Sequence, residues 1–81
     1  MTQTPKEPEQ IAFDTAHSIA EELTHGGYAD QVSVLKASMQ IAGAIRDALA
    51  RNGHSRETFP TWILRQYADE ALSDAGFPGA P

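Results

Sequence analysis

Residues 30–51 read DQVSVLKASMQIAGAIRDALAR, and the placement of their apolar side chains decides the fold. Leu35, Met39, Ala42, Ile45 and Leu49 recur at three- and four-residue steps and form one stripe of a helix. Val34, Ala37, Ile41, Ala44 and Ala48 form a second stripe beside it. At about 100° per residue the two stripes span roughly 220°, more than twice the arc that a one-sided surface helix needs. A helix this apolar must be covered from two directions. Asp30 is a competent N-cap. Arg46 and Arg51 suit the negative helix C-terminus, and Asn52-Gly53 supplies a stop. The spacing therefore predicts a helix over 30–51 as the spine of the core.

The segments on either side supply the cover. A first helix is predicted over 9–24, with Pro8, Glu7 and Glu9 favouring its start. Ala12, Phe13, Ala16, Ile19, Ala20 and Leu23 share its apolar face, while Asp14, Ser18, Glu21 and Glu22 fall opposite. Gly26 and Gly27 end it. A third helix is predicted over 59–75, with Thr58 as N-cap and Pro60 in the first turn. Its inner face is Leu64, Tyr67, Ala68, Ala71 and Leu72, with Ile63 at the edge. Gly76 closes it, and Phe77 folds back on the last turn. The connections are short and favour antiparallel neighbours. The expected fold class is all-α: a small antiparallel three-helix bundle over 9–77. A disordered N-terminal arm (1–8) precedes it and an irregular tail (78–81) follows.

The chain has 81 residues, no cysteine and a formal charge of −5. One domain of this size buries only about 60% of its unfolded surface, so the core is marginal. Without disulfides, stability must come from well-packed helices or from association with another chain. The lack of cysteine fits a reducing compartment, and residues 1–10 lack the apolar run of a signal peptide, so a cytoplasmic location is expected. No stretch reads as a membrane span. The acidic balance disfavours nucleic acid and anionic membrane surfaces as partners. A helix-turn-helix reading of the last two helices fails similarly. Its recognition helix would carry Asp69, Glu70 and Asp74 against Arg65 alone.

Four sets of residues are candidates for function. Trp62, with Gln66 and Asp69 on the same side of the third helix, is the leading protein contact, because an exposed tryptophan is a common interface anchor. Arg51, His54, Ser55 and Arg56 gather before the third helix, whose free N–H groups suit a phosphate or carboxylate. His17, Glu21 and His25, four residues apart on one helix side, are the nearest approach to a metal-ligand set. Three ligands from one helix rarely converge unaided, so no metal or other cofactor is expected. Gly43 would permit a partner helix to approach closely. The plain alternatives are, in the same order, a tryptophan folded onto the tail or onto the end of the second helix, a capped turn, a solvated polar face and a tolerated surface glycine.

Catalysis finds no seat. There is no cysteine nucleophile and no Gly-x-Ser-x-Gly context. The carboxylate pairs Glu21-Glu22 and Asp69-Glu70 are consecutive on helices, so each pair diverges. The expectation is a non-enzymatic helical interaction module, an adaptor, regulator or inhibitor, with self-association as one mode of use. The alternative is a small-anion binder built on the basic turn. A third reading has the acidic flanks imitating nucleic acid toward a basic partner.

Overall fold

Helices α1 (Pro8–His25), α2 (Val34–Arg51) and α3 (Thr61–Ala75) follow one another in a computed structural model that describes residues 7–27 and 30–80. Each helix packs against both others. Among the described residues no strand forms, and the expected all-α three-helix bundle is what the chain adopts. Arg46, late in α2, donates from Nη2 to Thr61 Oγ1 at the start of α3 at 2.8 Å, as antiparallel neighbours require. No helix of the described residues is long and apolar enough to cross a membrane.

Two helix starts differ from the sequence expectation. Helix α2 begins at Val34 rather than at 30, because Ser33 and not Asp30 is the cap. The Ser33 Oγ accepts the Lys36 N–H at 3.1 Å. Starting there leaves Val32 outside the helix and packed against the core. A helix begun at Asp30 would carry Val32 round to the outer face, so burial of that valine selects between two competent caps. Helix α3 begins at Thr61, with Pro60 in extended backbone at the N-cap position. A proline disfavours helical backbone at the residue before it, which excludes Phe59. Thr58 does not cap α3. Its hydroxyl donates to the Ser55 carbonyl at 2.6 Å within the preceding turn.

Helices α2 and α3 stop in the same way. Gly53 and Gly76 each take a φ of +80°, open to glycine at little cost. Past α2, the Gly53 and His54 N–H groups donate to the Ala50 and Leu49 carbonyls. Past α3, the Gly76 and Phe77 N–H groups donate to Ser73 and Leu72. This paired pattern satisfies carbonyls that the helix leaves unpaired. It also turns Phe77 into the core beside Leu72, as its apolar character requires. The chain then bends through Pro78 and Gly79, and Ala80 packs back on the cluster. Residues 1–6 of the expected arm lie outside the described residues; Glu7 and Pro8 already belong to the start of α1.

Ile41, Ile45 and Leu49 of α2 and Leu64 and Leu72 of α3 are fully buried. Helix α1 meets them with Ala12, Ala16 and Ala20, also fully buried, whose small side chains let the helices approach closely. The covered arc of α2 is narrower than its apolar arc. Ala37, Ser38, Ile41, Ala42, Ile45, Ala48 and Leu49 are buried, but Leu35 and Met39 are 53% and 63% exposed. The reason is that α1 and α3 pack on each other as well as on α2. Two neighbours that touch cannot stand on opposite sides of a third helix. Phe13 likewise lies outside the core, stacked on His17 with ring centroids 4.1 Å apart.

Candidate functional site

Because Leu64, Ala68, Ala71 and Leu72 turn inward, the residues half a turn away face solvent. Trp62, Gln66 and Glu70 follow at four-residue steps and form a line along this outer face. With Ile63 and Tyr67 they surround an open hollow of about 300 Å³. Trp62, the single tryptophan of the chain, is 61% exposed on its rim. Tyr67 is half-buried, and its ring packs on Phe59 at 5.8 Å and 59°. Burial raises the Tyr67 phenol pKa above its usual range, and the negative charges of Glu9 on α1 and of Glu70 raise it further.

Of the three residues expected to form the contact, Trp62 and Gln66 come together here and Asp69 does not. At the helical step of 100° per residue Asp69 stands about 60° from Gln66 and about 100° from Glu70, away from the hollow's lining. Ile63, Tyr67 and Glu70 are the lining residues that sequence reasoning did not assign to the contact. The four-residue step from Trp62 was a signal for Glu70. For Tyr67, which also belongs to the apolar face, there was none.

Several polar groups of the basic turn before α3 are engaged within the fold. Arg56 pairs with Asp47 of α2 at 2.6 Å, so its charge is offset by a carboxylate. Ser55 Oγ accepts the Glu57 N–H at 3.0 Å, and the Ser55 carbonyl accepts from Thr58. The His54 N–H completes the α2 stop. Arg51 instead lines a separate hollow of about 380 Å³ between α1 and α2, with Asp14, Thr15, Ser18, Ile19, Ala44 and Asp47. Asp14 borders that hollow beside Arg51, and Asp47 there is paired with Arg56.

His17 is occupied by the fold. Its Nδ1 lies 3.0 Å from the Phe13 carbonyl and its Nε2 lies 3.1 Å from Asp74 Oδ2 on α3. Burial by itself would lower the imidazole pKa. The hydrogen bonds to Asp74 and Phe13 and the charges of Asp74 and Glu70 outweigh burial and raise it. Among the described residues no three of His, Asp and Glu come together to hold a metal. Gly43 has open space where a side chain would point, so no helix of the bundle approaches it. Comparison with protein-family models, with curated proteins and with solved structures finds no match to this chain.

Proposed function

We propose that the protein is a non-enzymatic helical interaction module, and that it receives a protein partner on the outer face of α3. The observation that carries this reading is Trp62, a large aromatic left 61% exposed on the rim of a hollow. Tryptophan is among the residues that most often dominate binding energy at protein interfaces, typically by about 2 kcal/mol or more on truncation. Its indole brings large apolar area at little cost in side-chain entropy. Phe13, also exposed, supplies further apolar surface for a second contact, including one with another copy of the chain. The cysteine-free composition accords with work in a reducing cytoplasm.

The test is position-resolved crosslinking in the native host. A photoreactive residue replaces Gln66 on the α3 face or Lys36 on α2. The reading expects a discrete adduct from position 66, weak or absent from position 36, and lost when Trp62→Ala is added. Equal labelling from both positions, or a pattern indifferent to Trp62, overturns it. An adduct of twice the chain mass identifies the partner as a second copy.

A further inference from the structure

We propose that the hollow lined by Trp62, Gln66, Tyr67 and Glu70 receives a cationic side chain, an arginine or lysine carried by a basic segment of the partner. The inference rests on the reading of the α3 outer face as a docking surface and adds the chemistry that the surface selects. Three observations converge on it.

The first is the chemistry of the walls. Trp62 and Tyr67 bring two electron-rich ring systems to one hollow, with Phe59 packed behind Tyr67. The faces of such rings attract a guanidinium or ammonium group, and indole does so most strongly. A planar guanidinium also stacks on an aromatic face in a way a hydrated ammonium does not, which favours arginine. The second is charge. Glu70 lines the hollow, and Glu9 of α1 lies close enough to act on Tyr67. Arg65, the only cationic residue of α3, does not line it. A carboxylate beside two rings is the arrangement that rewards a cation over a neutral side chain. The whole chain, at −5, also draws a basic segment toward it at long range. The third is size. About 300 Å³, open to solvent, is at the lower limit for a small-molecule site. It suits one long side chain presented from a partner's backbone. Gln66 then offers a side-chain carbonyl to the N–H groups that Glu70 leaves unpaired.

The alternative occupant, a purely apolar side chain, uses the rings but leaves Glu70 to be desolvated without compensation. That difference makes the proposal testable with defined probes. The full chain, labelled for NMR, is titrated with an acetylated Gly-Arg-Gly-Arg-Gly-Arg-Gly peptide. Its companion peptide carries citrulline, the neutral near-isostere of arginine, at each arginine. The expected result is saturable shifts at the Trp62 indole N–H, Gln66, Tyr67 and Glu70. Affinity falls about fivefold for the citrulline peptide and for Glu70→Gln, and about tenfold for Trp62→Ala. Raising the salt from 0.05 to 0.5 M weakens the arginine peptide and leaves the citrulline one unchanged. Both substitutions are at exposed positions, and unchanged spectra elsewhere verify the fold.

Equal binding of the two peptides, indifference to Glu70→Gln, or shifts spread along α1 without the α3 residues would each overturn the proposal. The two readings fail separately. Crosslinks from position 66 together with equal peptide affinities retain the docking face and remove the cation pocket. Selective arginine binding without a position-dependent crosslink retains the pocket and removes the proposed partner role.

Discussion

Ser38 sits in the core with 1% of its surface exposed, and its hydroxyl meets no hydrogen-bond partner among the described residues. A buried hydroxyl left unpaired costs about 1–3 kcal/mol, and serine is also a poorer helix former than alanine. Ser38→Ala is therefore expected to stabilise the fold by about 1 kcal/mol, read as a rise of roughly 4–8 °C in thermal midpoint for a domain of this size. A midpoint that falls would mean the hydroxyl is satisfied. Gly43 is a second such position. Its missing side chain would meet nothing within 4 Å, so Gly43→Ala is expected to add up to about 1 kcal/mol through helix propensity. Loss of a crosslinked partner on that substitution would instead assign Gly43 to a helix contact. His17 carries the pH dependence. Its folded pKa is raised, so the stabilisation it gives is complete below its unfolded value of about 6.5 and is lost as pH rises through the folded value. The Asp74 partner is largely exposed, which limits the effect to under about 1 kcal/mol. Urea midpoints measured from pH 5.5 to 8.5 should fall across that window in the native chain and flatten in Asp74→Asn.

At the scale of the helices, ends are set by competition among nearby signals. Asp30 and Ser33 are both able to cap α2, and the structure uses Ser33, whose hydroxyl takes the Lys36 N–H. Ser33→Ala should cost about 1 kcal/mol of stability, as removal of a working cap does. Asp30→Ala should cost a few tenths at most, and chemical denaturation of the two variants checks the ranking. The starts of α2 and α3 were thus only approximately legible, because local chemistry offers more than one start and packing chooses between them. The stops were legible. Gly53 and Gly76 follow the last apolar positions of their helices, and few other residues accept the backbone they adopt.

In the whole molecule the core is small, and large side chains carry most of it. Leu49 is fully buried at the foot of α2. Truncating a buried leucine to alanine costs about 2–5 kcal/mol, comparable to the roughly 3–5 kcal/mol that a single core of this size supplies. Leu49→Ala is expected to leave the chain largely unfolded at 25 °C by far-ultraviolet circular dichroism. Ile45→Val should cost only about 0.5–1.5 kcal/mol and leave it folded. A folded Leu49→Ala chain would point to support from association.

The three helices, their order and most of the buried set could be read from the chain itself. Apolar spacing, glycine stops and proline starts are local properties that act before any distant contact forms. The same patterning placed Trp62 and Gln66 on one face of α3. Tertiary packing decided what local pattern cannot express. It closed α1 against α3, and so left Leu35, Met39 and Phe13 in solvent although their spacing is that of core residues. It took His17 from a helical row of possible ligands and bound it to Asp74, 57 residues away. It drew Arg56 onto Asp47 of α2. Helical periodicity fixes which way a side chain points, whereas what it meets there depends on the angle between helices, which is set only when all three pack together.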